Sequence, residues 1–319
     1  MTEESSSSAL LASLNEALDL LADHQPDPDA RDDGPEPLAS LVEQCAALAG
    51  NAPSEAPIRT IHHFACTGGT LICKLISAMP NTVMLSEIDP LSTMMIGDAQ
   101  NPFFAPTDLI YGARVALRSI DDGVATKMFQ AGLAVLYNHT RMAGQHLVIR
   151  DHSHSHFCTE VDADERPSLR AMVQEIAPVR SVVTVRHPLD SFLSLDRNGW
   201  RNFAPFNLEE YARRYLMFLE KHHGVPIIRY EDLVGAPDLY LAQICRELDL
   251  PFAANSEAIL PVVAMSGDSG RKSSTIGGRE RRPMPQHIVA QLDSCPSLDR
   301  LCNLLGYQKI SDQASGGTS

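Results

Sequence analysis

From residue 58 onward, short apolar runs alternate with longer stretches whose apolar positions recur every three or four residues. RTIHHFA (59–65), TVMLS (82–86), QHLVIR (145–150), RSVVTVR (180–186) and VPIIRY (225–230) predict buried strands. Helical patterns separate them over 70–79, about 125–143, 167–177, 189–197 and 207–222. Strand–helix alternation with apolar strands predicts an α/β fold: a P-loop-type, parallel five-stranded sheet with helices on both faces. No internal repeat interrupts it.

The first 57 residues have a different texture. They carry twelve acidic residues and one basic residue, Arg31. Leucines at helical spacing predict helices over 9–24 and 37–50, the second closing at Gly50, with a Pro/Asp-rich linker over 24–37. The expected organisation is an acidic N-terminal helical arm and linker (1–57), an α/β domain (58–310) and a disordered tail (311–319). The arm reads as packing on the main domain or as a docking or dimerisation segment.

Composition narrows the function. The chain has 319 residues, 44% hydrophobic and 21% charged, enough for one large core or two modest ones. Lys and Arg number 26 against 40 Asp and Glu, a formal charge of -14. That field argues against non-specific binding to nucleic acid or to anionic membranes, but leaves room for a local basic pocket. No apolar stretch is long enough to span a bilayer. The start, MTEESSSS, lacks the order of a signal peptide. Seven scattered cysteines without a CxxC pair fit reduced thiols, and a cytoplasmic location is expected.

Ligands in such sheets bind beyond the carboxyl ends of the strands, so the residues following each strand carry the chemistry. After the first comes Cys66-Thr67-Gly68-Gly69-Thr70, opening an apolar helix. Adjacent glycines let several backbone N–H groups converge at a helix start, where they and the helix dipole attract phosphate or sulfate. Thr70 adds a hydroxyl. The alternative is a plain strand-to-helix turn. GxxxxGK[ST] is absent, which disfavours an ordinary ATPase, GTPase or P-loop-like kinase. After the fourth strand comes Arg186-His187-Pro188-Leu189-Asp190-Ser191-Phe192-Leu193-Ser194. Pro188 suits a helix start. Arg186 and Ser194 can clamp a phosphate through a charged fork and a neutral donor. Alternatively, Arg186 pairs with Asp190 and the serines bond back to their own helix. Residues 271–282 hold five basic side chains and one acid, which reads as a lid over a polyanion or as a solvated charge run.

These elements together resemble the sulfotransferases that use 3′-phosphoadenosine 5′-phosphosulfate (PAPS). Gly68-Gly69-Thr70 is similar to that family's 5′-phosphosulfate loop, and the Arg186…Ser194 pair to its 3′-phosphate clamp. Tyr230-Glu231-Asp232-Leu233 looks like its YEDL run, and the segment from Arg271 to Arg279 like its C-terminal RKG-x-x-G. The resemblance spans about Ile58 to Tyr307, with four short motifs in the expected order. It implies sulfuryl transfer from PAPS, as co-substrate, to a hydroxyl or amine acceptor. Thr67, Gly68, Gly69 and Thr70 would line the phosphosulfate cradle, and Arg186, Ser194, Arg271 and Lys272 would hold the 3′-phosphate. Glu87 or His152 would be the base: Glu87 resembles the glutamate bases of some branches, and His152 the lysine-x-histidine of another. The chain departs from the pattern at Thr67, where the family has Lys or Arg. Lys74 and Lys127 are the candidate replacements. A non-catalytic nucleotide-binding interaction protein is the alternative that this departure suggests.

Other side chains read more plainly. His152, His154 and His156 would share a face if extended and could then bind a metal. Sulfuryl transfer needs none, and no metal site is assigned. His62 and His63 read as core packing within a strand, and Trp200 as lining the acceptor cleft or covering a helix end.

Overall fold

The central strand of the sheet is its most polar. In β1 (Ile58–His63) every residue is buried, yet Arg59, Thr60, His62 and His63 carry polar heads. Buried polar groups are costly unless bonded. Arg59 donates to the carbonyls of Leu248 (3.0 Å), Asp249 (2.8 Å) and Pro57 (2.8 Å), which fastens the start of the strand. Thr60 bonds to Ser181 (2.7 Å), and His62 to Asp151 (2.7 Å).

The computed structural model describes residues 56–94, 105–254, 260, 263, 265, 276–277 and 283–308. Nearly all of the predicted arm, the predicted tail, and most of the basic segment with Arg271 and Lys272 lie outside the described residues.

In chain order, β1 leads through a turn to α1 (Gly69–Ser77), β2 (Thr82–Ile88), α2 (Leu109–Arg114) and α3 (Asp122–Met142). Then come β3 (His146–Asp151), α4 (Ser153–Phe157), α5 (Leu169–Gln174), β4 (Val179–Val185), α6 (Pro188–Asn198) and α7 (Leu208–Lys221). The last strand, β5 (Ile227–Arg229), runs directly into α8 (Tyr230–Gly235), followed by α9 (Pro237–Glu247), α10 (Gln286–Val289) and α11 (Pro296–Leu305). No helix among the described residues is long and apolar enough to cross a membrane.

All five strands are parallel, in the order β2-β3-β1-β4-β5. The chain leaves β1 toward β2 on one side and leaves β4 toward β5 on the other. A crevice therefore opens beyond the carboxyl ends of β1 and β4, the place where such sheets take ligands. Side chains alternate between faces. Ile61, Val148 and Val182 pack under α1 and α9 on one face. On the other, Leu147 and Ile149 meet α3 and α5, while Val183 and Val185 meet α6 and α7.

The apolar runs place all five strands within two residues of their observed ends. β5 is the shortest, because Tyr230 already begins a helix. β2 runs two residues further than its apolar run, through a register shift between Leu85 and Ile88. Glu87 takes a left-handed φ of 58° there.

Aromatic packing ties the site loops to the core. Phe64, just after β1, stacks on Tyr215 with ring centroids 4.5 Å apart and also meets Tyr211 and Phe218. All four are fully buried. The Tyr211 hydroxyl donates to the Ala65 carbonyl (3.1 Å), and the Tyr215 hydroxyl accepts from the Arg186 N–H (3.2 Å). One helix thus holds the exits of both central strands.

Candidate functional site

The turn after β1 is shaped by two left-handed residues, Cys66 (φ 63°) and Gly68 (φ 89°). Gly68 is the N-cap of α1 and offers no side-chain cap. A Cβ there would collide with the Tyr230 ring, and one on Gly69 with the His63 ring. The two glycines are required by close approach as well as by conformation. α1 starts at Gly69, just beyond the carboxyl end of β1, and the Leu71 amide donates to the Gly68 carbonyl at 3.1 Å.

Thr67 turns away from that crevice. It is fully buried, and its hydroxyl donates to the Phe64 carbonyl at 2.8 Å, closing the turn. Thr70 lies on the other side of the loop, where its hydroxyl accepts from Arg150 Nη2 at 3.1 Å.

Arg150 was not among the residues singled out from sequence. It lies near the end of β3, 3% exposed, and gathers several groups. Nη2 also reaches Glu87 Oε1 (3.1 Å) and His63 Nε2 (3.2 Å), while Nη1 reaches Ser86 Oγ (3.2 Å). His63 accepts from the guanidinium through Nε2 and is held neutral. Burial, then Arg150, push its pKa well below the usual histidine value. β3 thus brings a guanidinium to Thr70, at the start of α1. Lys127 is exposed on α3, and Lys74 sits in the last turn of α1. The available signal was a charged residue at the carboxyl end of an apolar strand.

Arg186 bridges the two motifs. Its Nη1 lies 3.5 Å from the Cys66 carbonyl oxygen and 3.4 Å from Ser194 Oγ, and its guanidinium sits 5.3 Å from the centre of the Tyr230 ring. Both hydrogen bonds are long and easily exchanged for a stronger one to an anion. Ser194 donates its proton to the Asp190 carbonyl (3.0 Å), leaving its lone pairs toward Arg186. Ser191 is fully buried and bonds to the carbonyls of His187 and Pro188, so it faces the core. The YEDL run braces this corner. Tyr230 packs on Gly68, and Glu231 accepts from the His187 N–H (2.9 Å) and from the Tyr307 hydroxyl (2.7 Å).

The two base candidates occupy different surroundings. Glu87 is partly exposed and paired with Arg150 beside Thr70. His152 caps α4, and its N–H donates to the Ile88 carbonyl at 3.1 Å. Its ring lies 6.1 Å from that of His154, which in turn sits 5.5 Å from the Trp200 ring. Burial, then His152, lower the His154 pKa to about 4. Its Nε2 is buried without a hydrogen-bond partner. The expectation that His152, His154 and His156 share an extended face is overturned. Residues 153–157 are helical, and His156 turns inward to stack on Phe157 and bond to the Ala163 carbonyl (2.9 Å).

No family model matches the chain, and no curated protein matches it. Solved structures similar to it include three sulfotransferases. A sulfotransferase domain from the curacin biosynthetic pathway is 17% identical, with a TM-score of 0.48, covering 81% of this chain and 100% of that one. A sulfotransferase domain from the Synechococcus olefin synthase is 20% identical, with a TM-score of 0.48, covering 81% of this chain and 97% of that one. A mouse sulfotransferase complexed with PAP is 12% identical, with a TM-score of 0.35, covering 79% of this chain and 84% of that one.

Proposed function

We propose that the chain transfers a sulfuryl group from PAPS to a hydroxyl or amine acceptor. One observation carries this reading: Arg186 reaches both the glycine turn and Ser194, so two anion-binding elements share one crevice. A nucleotide with phosphate groups at both ends of its ribose fits such a pair, whereas a simple monophosphate uses only one.

In this reading the amides of Gly68 and Gly69 and the hydroxyl of Thr70 hold the 5′-phosphosulfate. Arg186 and Ser194 hold the 3′-phosphate, and Arg271 and Lys272 add charge to it. Glu87 takes the acceptor proton, the acceptor oxygen or nitrogen forms a bond to sulfur, and the sulfur–oxygen bond to the 5′-phosphate breaks. The electron pair leaves with 3′,5′-adenosine bisphosphate. Arg150 supplies the positive charge absent at Thr67 and stabilises the developing negative charge near Thr70. The work of the protein is positioning and electrostatics, as in phosphoryl transfer. His152 is the alternative base.

The buried hydroxyl of Thr67, at the position where a cation would be expected, favours a second reading in which nucleotide binds without turnover. Incubation with PAPS and a panel of phenols, alcohols and amines separates the two. Acceptor-dependent release of 3′,5′-adenosine bisphosphate, abolished in Arg186→Ala, supports transfer. Tight binding with no release for any acceptor supports the second reading.

A further inference from the structure

On the face of the sheet opposite Arg150 and His63, three buried side chains converge from distant parts of the chain: His62 on β1, Asp151 at the end of β3 and His222 just after α7. Each offers a ligand atom, and these atoms all lie within 4.8 Å of one another. We infer that His62, Asp151 and His222 form a structural binding site for a divalent transition ion of the zinc class. Nothing in the sulfotransferase reading calls for this site, and it does not depend on that reading.

The hydrogen bonds around the three residues are those that metal ligands need. His222 Nδ1 bonds to the Phe218 carbonyl at 2.8 Å, and a carbonyl can only accept, so Nδ1 carries the proton. The lone pair is therefore on Nε2, which is buried without a partner. An orphaned buried nitrogen calls for an explanation, and a missing ion is one. His62 Nε2 lies 2.9 Å from Thr60 Oγ1, which bonds to Ser181 Oγ at 2.7 Å. In the ion-free chain Nδ1–H donates to Asp151 Oδ2; an entering ion displaces that proton, and with Nε2–H donated to Thr60 the Nδ1 lone pair then ligates. The Asp151 carboxylate already accepts from Ser153 Oγ at 2.8 Å. All three ligands thus have outer partners that orient them, the usual accompaniment of a metal site.

Two imidazoles and a carboxylate suit zinc, with a water as fourth ligand. Tetrahedral ligands at 2.0–2.2 Å from the ion stand roughly 3.4 Å apart. The present 2.7 Å bond between His62 Nδ1 and Asp151 Oδ2 would open slightly, and the wider separations would close. His222 lines a cavity of about 450 Å³ together with Glu220, His223, Gly224, Arg300 and Leu304. The ion would join β1, β3 and the end of α7. His62 and His63 thus take opposite parts: His63 serves the crevice, and His62 would serve the ion.

The test uses the full chain, stripped with a chelator and titrated with ZnCl₂. The expected results are uptake of one zinc per chain, a higher melting temperature, and at least tenfold weaker binding in His222→Leu. The His223→Ala variant, altered beside the cavity but not at a ligand, should bind as the parent does. Should His222→Leu fail to fold, Co²⁺ on the parent chain decides. A tetrahedral visible spectrum without a thiolate charge-transfer band supports the assignment. Absence of stoichiometric uptake, undiminished uptake in His222→Leu, or a thiolate band overturns it.

Discussion

Arg186, at the exit of β4, lies 3.5 Å from the carbonyl oxygen of Cys66, at the exit of β1. The glycine turn and the Arg186–Ser194 pair therefore lie side by side at the carboxyl end of the sheet, although 120 residues separate Cys66 from Arg186. Parallel pairing of β1 with β4 produces this proximity, since it aligns the ends of the two strands.

Gly68 is held by conformation and by contact. Gly68→Ala places a side chain at φ 89° and drives its Cβ into Tyr230. The left-handed backbone alone costs about 1–2 kcal/mol. A fall of several degrees in melting temperature is expected, together with loss of nucleotide affinity. Adding Tyr230→Ala should relieve the collision but not the backbone cost. Full restoration of stability in the double variant would contradict this account.

Arg150 is assigned to charge development more than to nucleotide binding. Arg150→Lys keeps the charge but loses the fork that reaches Thr70, Glu87 and His63 together. The expected outcome is a fall in kcat of ~10²-fold or more, with affinity for 3′,5′-adenosine bisphosphate changed only a few-fold. Steady-state kinetics beside calorimetry reads the split, and equal losses in both would sink the assignment.

Glu87→Gln and His152→Ala separate the bases. Removing a general base costs typically ~10²–10⁴-fold in rate. Glu87→Gln should show that loss, with His152→Ala within tenfold of the parent. The reverse order in kcat would move the role to His152.

His154 makes stability fall in acid. Its folded pKa, about 4, lies below the ordinary value of 6.5, so the unfolded chain binds the proton more readily. Its contribution is complete above about pH 6.5 and is lost as pH falls toward 4. The total is at most about 3–4 kcal/mol, from a shift worth about 1.36 kcal/mol per pH unit. Denaturant melts between pH 7 and 4 should show a shallower decline for His154→Gln than for the parent. An identical decline would remove His154 from the explanation.

Much of this was legible in the sequence, because buried parallel strands leave apolar runs and each candidate loop follows one. The glycine turn and Arg186 could be placed just after strands, and Ser194 in the helix that follows β4. Arg150 was not, because its neighbours Thr70, Glu87 and His63 come from β1, β2 and the first helix, and only the strand order brings them together. Thr67 shows a related limit: the motif placed it beside the cradle, while its hydroxyl bond to the Phe64 carbonyl is set by the shape of the turn. The triple-histidine segment misled through its period. Alternation suggested an extended face, whereas the chain coils there and buries His156. His62 was legible as buried, but its convergence with His222, 160 residues later, was not.

Calorimetric titration of the parent chain and Arg186→Ala with 3′,5′-adenosine bisphosphate and with 5′-AMP tests the shared crevice most directly. Charge-assisted hydrogen bonds to the extra phosphate are worth about 1.5–3 kcal/mol, so the parent should prefer the bisphosphate by roughly 10–100-fold. That preference should collapse in Arg186→Ala while 5′-AMP binding changes little. Equal affinity of the parent for both nucleotides, or a preference that survives the substitution, would contradict the account.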